Sequence, residues 1–159
     1  MATSLSAGAS IGHVHLKVAD IDRALAFWRD VLGFEEQARY GDDAVFLGAD
    51  GYHHHIALNT WMSKGAGPAP RNAAGLFHVA ILYPDRPALA RAVRAVQAAG
   101  IRLEGASDHG VSEAVYLSDP DGNGVELYHD RPPHEWPRDA DGTLRMKTER
   151  LDLADLLAS

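Results

Sequence analysis

The sequence contains no cysteine, which excludes disulfide bonds, thiolate metal sites and thiol nucleophiles. It has no basic run and a net charge of -7, whereas nucleic-acid-binding domains carry clustered basic residues. No apolar run approaches the ~20 residues that span a bilayer, and the N-terminus lacks the charged and apolar regions of a signal peptide. We therefore expect a cytoplasmic protein that binds neither nucleic acid nor membrane and holds any metal through nitrogen and oxygen.

Length and composition are those of one globular domain. With 159 residues, 46% of them hydrophobic, the chain is long enough to close a core of its own. Residues 1–10 are small and polar, and we expect them to form a flexible N-terminus. Histidine is the unusual feature, because nine are present and five of them lie in two short clusters, at 13–15 and 53–55.

Strand and helix patterns occur twice in the same order. In residues 11–62 an alternating strand is followed by a helix with an apolar stripe, from Asp20 to Gly33, and then by three strands. In residues 75–130 a strand again precedes a helix, capped by Asp85, and three strands follow. The sequence therefore predicts two βαβββ units within one domain. The last three strands are expected near 34–40, 44–47 and 53–60 in the first unit and near 101–105, 113–117 and 124–128 in the second.

The remaining residues, 131–159, are predicted to be a C-terminal tail. They begin with a proline-rich segment and end in a group of leucines. This pattern predicts a short helix that docks on the body of the protein or on a second subunit, and on that basis we expect a homodimer. The leucines are Leu151, Leu153, Leu156 and Leu157.

Glu126 and two histidines form the candidate metal site. Glu126 lies between Val125 and Leu127 in a predicted strand, where a carboxylate is costly unless a cation or an arginine offsets it. His13 and His78 stand near the start of the first strand of each unit, 65 residues apart. Either histidine alone would be read as an ordinary half-buried side chain. Together with Glu126 they have the composition of the facial triad, two histidines and one carboxylate, that suits non-haem Fe(II).

With these features the chain resembles the vicinal oxygen chelate superfamily, which includes glyoxalases, extradiol ring-cleavage dioxygenases and bleomycin-resistance proteins. The resemblance covers residues 10–130 and implies an α+β fold in which two βαβββ repeats form a cupped mixed sheet around a divalent metal. The metal ligands of the superfamily match His13, His78 and Glu126, the last of which follows Asp119-Pro-Asp-Gly-Asn.

Further residues resemble those of compact proteins described as catechol 2,3-dioxygenase-like. His54 stands in His54-His-Ile-Ala-Leu58, which is similar to the run that carries the acid-base histidine of extradiol dioxygenases. His109-Gly110 precedes Tyr116, which stands ten residues before Glu126 as in those enzymes, although the spacing from His109 to Tyr116 is about two residues shorter. Strand alternation would place His55 on the face opposite His54, so that His55 is a rival as an extra ligand or outer-shell group.

The resemblance implies ring cleavage of a small aromatic diol by dioxygen, with Fe(II) as the expected metal and Mn, Ni or Zn as alternatives. His54 would act as the base, and His109 and Tyr116 would donate hydrogen bonds to charge that develops on the substrate. Two other functions stay open. One is a glyoxalase-type isomerase or lyase that uses a divalent metal, and the other is a non-catalytic protein that binds an aromatic drug.

Overall fold

The computed structural model describes residues 5–159, so the first four residues of the predicted flexible N-terminus lie outside the described part. The described chain divides into two compact units. The first unit runs through Ile21 and resumes at Phe34–Ala66, and the second comprises Asp22–Gly33 and Gly67–Ser159. Within residues 5–159 there is no helix whose length and apolar character would suit a membrane crossing.

The first unit is built on a four-stranded mixed sheet with the order β1-β4-β3-β2. β1 and β4 run parallel, and β3 is antiparallel to both β2 and β4. All of β4 and most of β3 are buried because both strands are apolar runs in the middle of the sheet, whereas the polar edge strand β2 is exposed. The strands are β1 Val14–Lys17, β2 Glu35–Tyr40, β3 Ala44–Gly48 and β4 Ile56–Asn59.

The second unit contains a five-stranded mixed sheet with the order β5-β8-β7-β6-β9. Helix α2 begins at its N-cap Asp85, whose carboxylate accepts a hydrogen bond from the backbone of Ala88, and it buries Leu89, Val93 and Val96. The strands are β5 Val79–Tyr83, β6 Gly105–Asp108, β7 Ser112–Ser118, β8 Gly124–Asp130 and β9 Glu149–Arg150, and the helices are α1 Ile21–Trp28, α2 Arg86–Ala98 and α3 Leu153–Leu157.

The element order β1-α1-β2-β3-β4 followed by β5-α2-β6-β7-β8 confirms the predicted α+β class with two βαβββ repeats. The strands form two separately hydrogen-bonded sheets, one in each unit. Three predicted boundaries are wrong. α1 ends at Trp28, and the chain reaches Gly33 through turns. β4 begins only at Ile56. β6 begins at Gly105, where the predicted strand ends, because β6 pairs with Tyr116 and the preceding residues of β7.

The C-terminal tail is part of the second unit. β9 extends the sheet antiparallel to β6, and α3 packs on α2. Arg86 on α2 donates to the Asp155 carboxylate over 2.7 Å and to the Ser159 hydroxyl over 2.6 Å. Leu151 and Leu156 are buried within this chain. These leucines therefore do not face a second subunit, and the homodimer stays a prediction.

Candidate functional site

The register of β7 and β8 places Tyr116 directly opposite Glu126. Residues paired across neighbouring antiparallel strands point to the same face of a sheet, so the phenol and the carboxylate share one face. On that face the Glu126 side chain keeps some contact with solvent, whereas Val125 and Leu127 point to the other face and are fully buried. The alternation predicted from the sequence is therefore the one that keeps the carboxylate out of the apolar core.

His78 comes directly before β5 and meets Glu126. Its Nε2 lies 2.9 Å from Oε2 of Glu126, whose side chain is 12% exposed. His78 Nδ1 is buried and has no hydrogen-bond partner among the described residues. The chain approaches closely here because residue 124 is glycine: a Cβ on Gly124 would overlap the carbonyl oxygen of Phe77 and lie 3.1 Å from the Cβ of His78.

Tyr116 is the second contact of the Glu126 carboxylate. Its hydroxyl lies 3.3 Å from Oε1 of Glu126. Burial and the negative charge of Glu126 raise the pKa of Tyr116 to about 12, so the side chain is a neutral phenol at pH 7. The alternative of an arginine salt bridge does not apply within residues 5–159, where His78 and Tyr116 are the side chains that meet this carboxylate.

His109 lies in the tight connection between β6 and β7, where its backbone amide donates to Ser112 over 2.9 Å. Its Nε2 is 2.6 Å from the Tyr116 hydroxyl, and its Nδ1 is 2.8 Å from the backbone carbonyl of Lys147. Both ring nitrogens therefore have partners within the second unit. Sequence reasoning missed Lys147, because the contact is made by a main-chain carbonyl that no side-chain motif marks.

In the first unit His13 and His54 lie side by side. Their ring centroids are 4.4 Å apart, and Nδ1 of His53 is 2.6 Å from Nδ1 of His54. Burial, together with the neighbouring imidazoles, of which His13 is the foremost, lowers the pKa of His54. A lowered pKa keeps His54 neutral near pH 7, and a neutral imidazole can accept a proton.

His55 is held elsewhere in the same loop. Its Nδ1 accepts a hydrogen bond from the backbone amide of Ala49 over 3.3 Å, and its ring lies 4.6 Å from that of Tyr52. The predicted alternation of residues 53–55 is wrong because these residues precede β4 and do not form a strand. His53 and His54 consequently contact each other instead of pointing to opposite faces.

The structure brings the candidate residues together in two groups. His78, Glu126, Tyr116 and His109 form a chain of contacts in the second unit, and His13 and His54 adjoin in the first. An imidazole and a carboxylate that lie beside each other are donor types that a divalent cation accepts. Within residues 5–159 no three His, Asp or Glu side chains form a group that would hold a metal ion by themselves. The second unit therefore offers two donors of a possible metal centre.

A family model describing the Glyoxalase/Bleomycin resistance protein/Dioxygenase superfamily matches residues 10–127. The chain belongs to this superfamily. The membership inferred from His13, His78 and Glu126 is thereby confirmed, and so is the fold. A glyoxalase/dioxygenase crystal structure from Nostoc punctiforme superposes with a TM-score of 0.65, at 19% identity, over 83% of this chain and 99% of that one.

Two relatives in the superfamily represent different reactions. A catechol-2,3-dioxygenase of Bacillus subtilis is 41% identical over 98% of this chain, and the match spans 53% of that enzyme. A lactoylglutathione lyase of Haemophilus influenzae is 28% identical over 75% of this chain and 91% of that enzyme. Of these two relatives, the dioxygenase is the more similar in sequence. The present chain spans only about half of the length of that dioxygenase.

Proposed function

We propose that this protein is a metal-dependent extradiol dioxygenase that cleaves a catechol-type aromatic ring. The observation that carries the proposal is the linked arrangement of His78, Glu126, Tyr116 and His109 on one face of the second sheet. It combines two metal donors with a phenol and an imidazole that are able to handle protons. The 41% identity to the Bacillus subtilis catechol-2,3-dioxygenase, in an alignment that covers 98% of this chain, supports the proposed dioxygenase function.

His78, Glu126 and, from the sequence pattern, His13 would hold the metal, for which we propose Fe(II) ahead of Mn, Ni or Zn. Two neutral imidazoles and one carboxylate would leave a divalent ion with positive charge and open positions. When bound, Fe(II) would supply Lewis acidity toward the two substrate oxygens and a redox centre for dioxygen. Within residues 5–159 the buried Nδ1 of His78 has no hydrogen-bond partner, and Nε2 lies beside the Glu126 carboxylate, so this pair of side chains fits a metal site.

The other candidate side chains have distinct proposed tasks. His54, neutral because its pKa is lowered, would take a proton from a substrate hydroxyl. Tyr116, a neutral phenol whose pKa is raised to about 12, would accept a hydrogen bond from a substrate hydroxyl through its oxygen. His55 is anchored to Ala49 and Tyr52, and this anchoring favours an outer structural role over that of a ligand or base.

A glyoxalase-type isomerase or lyase is the second candidate. The favouring observation is the match to the Haemophilus influenzae lactoylglutathione lyase, which spans 91% of that shorter enzyme. This function would use the same donors but a different metal, Ni, Zn or Mn, and would need no dioxygen. A protein that binds an aromatic drug without turnover would need no metal at all. The three functions therefore differ in metal content and in oxygen dependence.

The test is anaerobic purification with elemental analysis, followed by Fe(II), catechol and air, with the appearance of yellow ring-opened product as the readout. We expect iron-dependent and oxygen-dependent colour. Glu126→Gln should lose both bound metal and product, because the amide removes the charged donor without changing the shape of the side chain. Glu35→Gln, on the exposed strand β2, is the matched control and should keep both.

Stoichiometric iron and full turnover in Glu126→Gln would refute the metal assignment. Bound Ni, Zn or Mn in the wild-type protein, with no turnover of any catechol, would favour the isomerase or lyase. A protein that binds no metal under these conditions would favour the drug-binding function.

A further inference from the structure

The C-terminal segment, residues 145–159, reaches the candidate site through its backbone. It is anchored at one end by α3, whose Leu156 is buried, and along its length by the pairing of β9 with β6. Just before β9, Lys147 continues this contact: its amide donates to the carbonyl of His109 over 3.1 Å. Lys147 is thus bound to the backbone of His109 as well as to its ring.

The Lys147 carbonyl fixes where the proton of His109 lies. It is 2.8 Å from Nδ1 of His109, and a carbonyl oxygen can only accept a hydrogen bond. Nδ1 must therefore carry the hydrogen. In a neutral imidazole the other nitrogen, Nε2, is then bare and acts as an acceptor. The Thr148 hydroxyl lies farther from Nδ1, at 3.4 Å, and is the weaker competitor for the same hydrogen.

A bare Nε2 in turn determines which atom accepts the hydrogen of the Tyr116 hydroxyl. The Tyr116 hydroxyl lies 2.6 Å from Nε2 of His109 and 3.3 Å from Oε1 of Glu126, and it has one hydrogen to donate. With Nε2 bare, that hydrogen goes to His109. With the opposite tautomer, Nε2–H would donate to the phenol oxygen and the phenol hydrogen would go to Glu126. The two tautomers of His109 thus correspond to two different hydrogen-bond networks.

We propose that the backbone carbonyl of Lys147 is a positioning group that holds His109 as the Nδ1–H tautomer and directs the Tyr116 hydroxyl toward His109 and away from Glu126. Oε1 of Glu126 then stays available to a cation, and the phenol oxygen keeps its lone pairs for a substrate hydroxyl. His109 acts through Tyr116 and does not donate directly to substrate, in contrast to the role expected from the sequence. Only this consequence for turnover rests on the proposed function; the tautomer does not.

The tautomer is measured by nitrogen NMR on the full-length protein with labelled histidine, free of paramagnetic metal, at a pH of about 8, where an ordinary histidine is neutral. The spectrum of His109→Gln identifies the signals of His109 by their loss. We expect an N–H type shift for Nδ1 and a bare-nitrogen shift for Nε2. A hydrogen on Nε2, whether alone or together with one on Nδ1, would overturn the proposal.

A second measurement tests the carbonyl itself. In a Thr148→Val background, replacing residue 148 by α-hydroxyvaline turns the amide after Lys147 into an ester, whose carbonyl is a weaker acceptor. Thr148→Val with its normal amide is the matched control and should keep the wild-type tautomer. The ester should lower the ratio of Nδ1–H to Nε2–H tautomers by roughly two-fold or more, because the hydrogen bond that favours the Nδ1–H tautomer is weakened.

An unchanged ratio in the ester, or a changed ratio in Thr148→Val alone, would refute the role of the carbonyl. If the ester protein does not fold, the wild-type spectrum still decides the tautomer. None of these readouts needs catechol or iron, so a failure of the proposed ring cleavage would leave this result intact, and an inverted tautomer would leave the ring-cleavage proposal standing.

Discussion

The two βαβββ repeats have the same strand register but carry different side chains at equivalent positions. In the first repeat Phe46 on β3 lies opposite Ala57 on β4, and in the second Tyr116 on β7 lies opposite Glu126 on β8. Each last strand runs parallel to a first strand that directly follows a histidine, His13 or His78. At equivalent positions the second repeat therefore has a hydroxyl and a carboxylate where the first has a hydrogen and a methyl group.

This difference shows how little separates a structural strand pair from a candidate metal site. The flanking residues are nearly the same, since Ala44-Val45 precedes Phe46 and Ala114-Val115 precedes Tyr116. The polar groups stand on the face that is not packed in the core, so they do not disturb the buried apolar residues behind them. In the first repeat, the loop before β4 supplies histidines instead of a carboxylate.

In the proposed function His54 of the first repeat transfers a proton, whereas other residues retain the metal. His54→Ala should lower ring cleavage by roughly 10²-fold, the usual size of a general-base contribution, while the metal content stays near wild type. His55→Ala is the matched control, because His55 contacts Tyr52 and Ala49, and it should keep most of the activity. Elemental analysis and initial rates measure both. Loss of metal in His54→Ala would make this loop a ligand segment and break the division of roles.

The second variant makes the second repeat resemble the first. Tyr116→Phe removes the hydroxyl between His109 and Glu126 and reproduces the Phe46 of the first repeat. We expect turnover to fall roughly ten-fold, less than for a fully engaged oxyanion donor, with the metal retained. Tyr128→Phe, which removes a hydroxyl from the same face of β8, should change the rate little. Equal rate losses in the two variants would argue that the phenol of Tyr116 has no particular role.

Much of this comparison could be predicted from the sequence. Local patterns predicted the order of elements, the helix cap at Asp85 and the equivalent positions of His13 and His78 in the two repeats. They could do so because caps, glycines and alternation depend on neighbouring residues. The likeness of Asp43-Ala-Val-Phe-Leu47 to Glu113-Ala-Val-Tyr-Leu117 was also present in the sequence. This likeness indicates that Tyr116 occupies the position in its strand that Phe46 occupies in the first repeat.

Other parts depended on contacts between distant segments. Whether His54 or His55 lies beside His13 could not be predicted, because β4 begins only at Ile56 and alternation does not apply before it. The register of β6 was missed because pairing with β7, rather than local propensity, decides where it begins. The contact of Lys147 with His109 joins residues 38 positions apart through a backbone carbonyl, which any residue type possesses.

The opposite face of each sheet extends the comparison. In the first repeat Asp43 is exposed and accepts a hydrogen bond from Thr60 over 3.2 Å. In the second, Glu113 occupies the corresponding position beside His129 and is 5% exposed. The buried carboxylate needs more partners, and it has Arg86 at 2.7 Å and Arg131 at 3.0 Å. The second repeat thus contains a buried ionic cluster, whereas none of the buried residues that the structure describes in the first repeat is charged.

The smallest expected effect is a pH dependence of stability that arises from this cluster. Burial would raise the pKa of Glu113, but hydrogen bonds from Arg86 and His129, with the charges of Arg86 and Arg131, hold it below its usual value of 4.5. A carboxyl whose pKa is lower in the folded state stabilises the fold above its unfolded pKa and loses that contribution as the pH falls. The neighbouring Asp108 shares Arg131, its pKa is also lowered, and its contribution is lost in the same direction.

The free energy of unfolding of the wild-type protein should therefore decline between about pH 5 and pH 3, and Glu113→Gln should show a shallower decline because it cannot titrate. Urea denaturation at several pH values measures this slope. Asp43→Asn, which changes the exposed counterpart in the first repeat, should keep the wild-type slope, since its carboxylate is solvated and its ion pair with Lys64 is long, at 3.5 Å. Equal flattening by both variants would show that burial of the second-repeat carboxylate does not matter for acid stability, and the contrast between the repeats would then be confined to the face that bears Glu126.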